Sequence, residues 1–553
     1  MGALSGAAGV AGNADPVGRS DGRDELWWNE IPRVDRSGLY TGSGVGRVVR
    51  HTSPSAMNLS RVFVLLLTLS LGAVLTTGRV QAMPRSAPEA QGVSSSALFQ
   101  FVEEAEQKID ALHSVMVVRH GQVIAEGWWA PYAAAEPHQM FSLSKSFTST
   151  AVGLAIADGK LSVDDPVLKF FPDEAPEKPG TNLRAMRVRD LLTMSTGHHA
   201  EDLQSFPYHA EESVVKKFLA LPVPHKPGTL FVYNTPATYM LSAIVQKVTG
   251  QTVLDYLRPR LFEPLGMAKP TWEASKQGVS MGGFGLSVRT EDIARFGQLY
   301  LRRGMWNGKQ LVPASWVDTA TSRWMSNGSS PTSDWDQGYG FQFWRCRYGA
   351  FRGDGAHGQF CVVLPELDAV VAITAGTKDL QGVLNLVWAK LRPALQEKAL
   401  AADPLAHAAL VRKLASLSLR KPVAVAMPAL AATIAGRRYV FPVNQQAIEM
   451  LTLTPSANDP HASELTVKIG GAEERVEISG ERWVRGELTT GPAAGVVALS
   501  GAWTAADTFT LEVVRYRTPF TTRYRLRFAG DEVTVETQPN LGPVPPPMVG
   551  RRE

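Results

Sequence analysis

From about residue 430 to residue 545 the chain breaks into short segments of alternating apolar and polar residues, and this texture fixes the class of its C-terminal part. "AIEMLTLTP", "ASELTVKIGG", "EERVEISGE", "GVVALSGAWTA", "DTFTLEVVRYRT", "TTRYRLRFAG" and "DEVTVETQ" follow one another, separated by Gly, Asp and Pro turns. A side-chain period of two buries one face of each strand, so the region is expected to form an antiparallel β sandwich or barrel. Upstream, residues 84–395 mix apolar helical stretches, short strands and long loops punctuated by Pro and Gly, the pattern of an α+β domain. In it "SVMVVRHGQVIAEGWWA" reads as two strands around His120-Gly121, and "CVVLPELDAVVAITAG" as a second pair around Pro365-Glu366. "QGVLNLVWAKL" has the spacing of a helix closing on that sheet. Residues 396–429, Ala-rich and interrupted by prolines, read as a helical linker.

Composition narrows the partners. A chain of 553 residues with 44% hydrophobic and 20% charged residues is globular. A formal net charge of +4, without a Lys/Arg run on a polar face, argues against nucleic acid. Residues 57–82, "MNLSRVFVLLLTLSLGAVLTTGRVQA", place Arg61 before an apolar stretch from Val62 to Leu75 and small residues before Ala82, the form of a cleaved secretory signal. Thr68, Ser70, Gly72 and Thr76 dilute the stretch below what a membrane span needs, so membrane contact is expected only in passing through this segment and the protein is expected to be periplasmic or secreted, or membrane-anchored where the segment is not cleaved. Residues 1–56, rich in Gly, Ala, Arg and Ser without periodicity, read as a disordered leader outside the mature protein, with Met57 as the expected start. The two cysteines, Cys346 and Cys361, sit in two strands joined by a Gly-rich turn, which is compatible with a disulfide and equally with two buried thiols.

Ser-x-x-Lys occurs three times: Ser142 with Lys145, Ser213 with Lys216, and Ser418 with Lys421. Ser213 lies in the charged "EESVVKKF" and Ser418 just before Pro422, both contexts of surface residues. Only Ser142, in "MFSLSKSFTSTAVGLAIADGKL", opens a segment of small and apolar residues that must be buried. A helix starting there puts Lys145 one turn on, on the same face as the hydroxyl. A lysine enclosed by apolar neighbours loses the solvation of its charged form, and the neutral amine then accepts a serine proton. The plainer reading is a capping Ser142 with Lys145 reaching the surface, and spacing alone does not choose between them.

Four stretches in order make the choice. "FSLSKSFTSTAVGLAIADGKLSVDDPVLKFFPD", "VRDLLTMSTGH", "FVYNTPATYMLSAIVQKVTGQTVLDYLRPRLFEPLGM" and "GGFGLSVRTEDIARFGQLYLRRGMWNGKQLVPASWV" resemble the serine β-lactamase-related hydrolases, which include class C β-lactamases, DD-peptidases, esterases and 6-aminohexanoate-dimer hydrolases. The resemblance spans most of residues 85–395 and implies a β-lactamase/transpeptidase-like fold, an antiparallel sheet flanked by helices with a helical subdomain, followed here by the all-β domain. It also implies acyl transfer through a covalent serine intermediate without a cofactor, Ser142 being the nucleophile and Lys145 its base. Tyr233 matches the tyrosine of the family's Tyr-x-Asn motif and would shuttle the proton to the leaving group, while Asn234 stands one position early.

The family's third motif, Lys/His-Thr/Ser-Gly, is replaced by "GAHGQ" at residues 355–359. Aligned on Gly358, Ala356 takes the cationic position and His357 the hydroxyl position. Loss of the cation, which in the family holds a substrate carboxylate, points to a small-molecule or peptide-like ester or amide without one, with weak or absent β-lactamase activity. His357 either substitutes in part or points away. Gln359 follows, and its amide with that of Ser142 would form the oxyanion hole. The departures at Asn234 and Ala356 equally motivate a penicillin-recognising or peptide-binding relative with little turnover.

Two other chemistries fit poorly. The Gly-x-Ser-x-Gly matches at 18–22 and 278–282, the second centred on Ser280, lack a strand before and a helix after. "TGHHAED" offers His198, His199, Glu201 and Asp202 without metal-ligand spacing and reads as a solvated loop. The β-rich tail packs on the catalytic domain or contacts substrate; its composition chooses neither.

Overall fold

The computed structural model describes residues 82–553 except 204, 205, 457, 458 and 460. The leader and all of the signal segment before Ala82 lie outside the described residues.

The N-terminal half is built on a six-stranded antiparallel sheet in the order Gln122–Trp128, Leu112–Arg119, Ala369–Ala375, Gln359–Leu364, Phe351–Gly355, Trp344–Arg345. His120 and Gly121, with φ of 51° and 78°, make the first hairpin turn. Both faces of the sheet are covered, which is why its central strands are apolar without alternation: Met116 and Val118 enter one core cluster, while Val115 and Val117 enter the other. The helix Thr290–Leu301 packs on the first face. Ser95–Lys108 and the closing segment, α-helical over Leu380–Leu386 and wider over Val387–Leu391, cover the second.

Cys361 belongs to the first core and Cys346 to the second, so they lie on opposite sides of the sheet as buried free thiols. Burial pushes their pKa values up to about 12 and about 11, which makes both unreactive.

Between the sheet and the helical subdomain runs the helix Ser144–Ala157, buried at every residue from Ser144 to Ala155. Its small side chains permit this, since they let neighbouring elements approach closely on all sides. It packs along Thr235–Thr249, and Phe147 stacks on Phe296 at 3.9 Å.

Beyond the helices Pro404–Ala415 and Ala429–Ile434 comes one ten-stranded antiparallel sheet whose edge strands are Ala472–Ser479 and Val484–Leu488. The sheet curls until the edges approach, and Ser500 Oγ donates to the Ser479 carbonyl at 2.9 Å. It is thus a near-barrel, filled by residues such as Leu451, Val467, Leu499, Phe509, Leu511 and Val535. The strand Met548–Arg552 completes it, so the β pattern runs to the end of the chain.

Candidate active site

The turn Phe141–Leu143 delivers Ser142 to the start of the buried helix, and Lys145 is the second residue of that helix. Both are buried, at 7% and 2% exposure. Lys145 Nζ lies 2.9 Å from Ser142 Oγ, 2.9 Å from Thr235 Oγ1 and 3.0 Å from the Gly283 carbonyl oxygen, and it sits 4.8 Å from the centre of the Tyr233 ring. The turn carrying Ser142 and two distant stretches of chain therefore converge on one amine. Packing holds the first of these: the strand Phe351–Gly355 abuts the turn carrying Ser142 so closely that a Cβ at Gly355 would stand 2.1 Å from the Met140 carbonyl oxygen. Only glycine fits there.

Tyr233 is half-buried and stacks on Trp344, with centroids 5.6 Å apart and planes at 16°. Trp344 donates to Asp354, which also accepts from Arg352 Nε at 2.8 Å. All of this is buried, and burial pushes the Asp354 carboxyl up against the opposing pull of Arg352.

Asn234 is turned away from this centre. It caps the helix Thr235–Thr249 by accepting from the Ala237 amide at 2.8 Å, and its Nδ2 donates to Thr196 Oγ1 at 2.9 Å. The third position of the motif is Thr235, and its hydroxyl takes the lysine bond. Thr235 and Gly283 escaped the sequence reading, although both lie inside the quoted motifs.

Gln359 begins the strand that pairs with Phe351–Gly355, opposite Gly355. Its side chain is spent on structure, donating to the Ala356 and Ala375 carbonyls at 3.1 and 2.8 Å. Gly358, with φ of 93°, and His357, with φ of 69°, make the turn before it. The His357 ring points edge-on at Phe141, 5.0 Å away, and burial pushes its pKa down to about 4, so it is neutral near pH 7.

The remaining candidates stay apart from the cluster. Ser213 caps the helix Val214–Leu219. Ser418 accepts from Trp483 Nε1 at 3.2 Å. Ser280 is buried in a loop, its carbonyl bonded by Ser242. His198 is not solvated as its loop context suggests: it is fully buried beside Thr196, at 2.8 Å, with its pKa pushed down to about 4.

Residues 103–387 match the family model described as Beta-lactamase, more than half of the chain. The chain belongs to the Beta-lactamase family. Among its relatives, 6-aminohexanoate-dimer hydrolase of Paenarthrobacter ureafaciens is 26% identical over 326 residues, covering 54% of this chain and 82% of that one. An Escherichia coli K12 protein given the provisional name D-alanyl-D-alanine carboxypeptidase is 20% identical, over 40% of this chain and 57% of its own length. A solved structure, the octameric penicillin-binding protein homologue from Pyrococcus abyssi, is 17% identical with a TM-score of 0.43, over 82% of this chain and 99% of that one. Serine acyl-enzyme hydrolysis is the general chemistry of this Beta-lactamase-fold family of hydrolases.

Proposed function

We propose that the protein is a serine hydrolase that forms an acyl-enzyme at Ser142 from an ester or amide lacking the carboxylate of penicillins. The observation that carries this is the set of oxygens around Lys145. A neutral amine has two N–H groups and one lone pair. A neutral Lys145 amine, with the Gly283 carbonyl and Thr235 Oγ1 beside it at 3.0 and 2.9 Å, would have Ser142 Oγ within reach of its lone pair at 2.9 Å, the position of a base.

Ser142 Oγ attacks the substrate carbonyl carbon as its proton passes to Lys145, and the amides of Ser142 and Gln359 receive the oxyanion. As the C–O or C–N bond breaks, the proton moves through Tyr233 to the leaving group. Water, activated by the same base, then cleaves the acyl-enzyme. Ala356 in the cationic position, with a neutral His357 beside it, supports a substrate without a carboxylate there.

The test is steady-state turnover of p-nitrophenyl acetate beside that of benzylpenicillin. The expected result is ester hydrolysis that exceeds β-lactam hydrolysis by orders of magnitude and falls by about 10²–10⁴-fold in Lys145→Met. Absence of turnover of either compound by folded protein favours a binding relative instead.

A further inference from the structure

The near-barrel meets the catalytic half at several points, among them the loop Arg515–Phe520 between the strands Thr508–Val514 and Thr521–Ala529, with Arg485 and Asn540 beside it. That loop is fixed along its length. The Arg517 carbonyl accepts from the Gln139 amide at 2.9 Å and the Thr518 carbonyl from Tyr132 Oη at 2.9 Å. Asn540 Nδ2 donates to both the Pro519 and Gly376 carbonyls at 2.9 Å. Pro519 presses so closely on Gly376 that a Cβ there would stand 2.3 Å from its carbonyl oxygen. Glu136 adds ion pairs to Arg517 at 2.8 Å and to Arg485 at 3.1 Å.

Held this way, Phe520 projects onto the two residues that border the reacting atoms. Its ring centre is 6.2 Å from that of Phe141, the neighbour of Ser142, and 5.7 Å from that of His357, in the turn before Gln359. Phe141 and Phe520 are only half-buried, so their rings keep an apolar surface open beside the nucleophile. The family's cation would act on this side; the chain offers there Ala356, an uncharged imidazole and two phenyl rings, with the Arg515 guanidinium 4.6 Å from the centre of the Phe520 ring.

From this convergence we infer that Phe520 of the near-barrel, with Phe141 and His357, is a specificity-determining wall of the active site that accepts an uncharged apolar group of the substrate beside the scissile carbonyl. The inference rests on the reading of Ser142 as nucleophile. It gives the near-barrel a role in selection: the catalytic half supplies attack and proton transfer, and the docked loop supplies one side of the pocket. A flat ring at this distance contacts alkyl or aryl groups by dispersion and loss of hydration, and it offers nothing to a carboxylate.

The experiment measures kcat/KM for two homologous ester series on the full chain, p-nitrophenyl esters of lengthening acyl chain and acetate esters of lengthening alcohol, for wild type, Phe520→Ala and Phe520→Leu. Fluorophosphonate labelling of Ser142 is followed in the same preparations. In wild type kcat/KM rises with chain length in at least one series. In Phe520→Ala that preference falls about 10-fold, the scale of one or two methylenes in an apolar pocket, and Phe520→Leu falls between. Because Phe520 is half-exposed, the leucine variant keeps the loop packed and carries the test if the alanine variant does not fold. Labelled Ser142 with the same chain-length preference in all three proteins overturns the inference and leaves the hydrolase reading standing. An unlabelled wild type overturns the hydrolase reading and the inference with it.

Discussion

The two halves of the molecule bury different things. The near-barrel core is a set of aliphatic and aromatic side chains, and many of its charges, such as Arg551 with Glu532, pair on the surface. The catalytic half buries Lys145, Arg352, Asp354 and Asp334 completely or nearly so, each with partners. Burying a charged or ionisable group costs free energy that apolar packing avoids, so a fold tolerates it where the group has work to do or is fully hydrogen-bonded. The difference separates a half organised around chemistry from a half organised around stability and around presenting one loop.

Mutation can break this comparison from either side. The largest effect expected is loss of turnover on Ser142→Ala, by at least ~10⁴-fold, read as kcat/KM for p-nitrophenyl acetate. Lys145→Met is expected to lower the same quantity by about 10²–10⁴-fold. It should leave thermal stability equal or higher, because an apolar chain replaces a buried amine; a large fall in Tm would make the lysine structural. Arg352→Met strands Asp354 without its ion-pair partner and should cost about 3–5 kcal/mol by urea unfolding. Leu511→Ala in the near-barrel should cost about 2–5 kcal/mol with turnover per folded molecule little changed. Equal damage to activity from Leu511→Ala and Arg352→Met would erase the distinction between the halves.

The smallest effect is a pH dependence. His138, His198 and His357 are each buried, with pKa values pushed down to about 4 by loss of solvation. The folded state holds them neutral while the unfolded chain takes up protons near pH 6.5, so their contribution is fully present above that pH and is lost as pH falls from 6.5 toward 4. Each should cost on the order of 1–2 kcal/mol at pH 5, seen as a lower urea midpoint than at pH 7. Replacing His198 should flatten the slope of stability against pH by one histidine's contribution.

Much of this was legible in the residues. Period-two alternation announced the C-terminal sheet because one face of each strand meets the core and the other meets water. Barrel or sandwich could not be told apart, since closure depends on how the edge strand ending at Ser479 meets the other end of the sheet, near Ser500, and both architectures share the same alternation. The candidate nucleophile, base and tyrosine stood out because short motifs fix the places of Ser142, Lys145 and Tyr233 locally, and the structure brings the three together. Thr235 and Gly283 did not, because their role comes only from convergence on Lys145 of segments 90 and 138 positions away. Asn234 carried a misleading signal: asparagine beside the tyrosine suggests the motif's third residue, while its side chain suits a helix cap equally well. Phe520 was invisible for the same reason as Thr235, lying in another domain altogether, and the burial of His198 was hidden by polar neighbours that themselves face solvent.

The proposed chemistry requires Ser142 to be an activated nucleophile. Intact mass and peptide mapping after exposure to a fluorophosphonate probe, for wild type and Ser142→Ala, decide it. The prediction is one adduct per wild-type molecule, on the peptide containing Ser142, and none on the variant. An adduct at Ser213, Ser280 or Ser418, or no adduct on folded wild type, would contradict it.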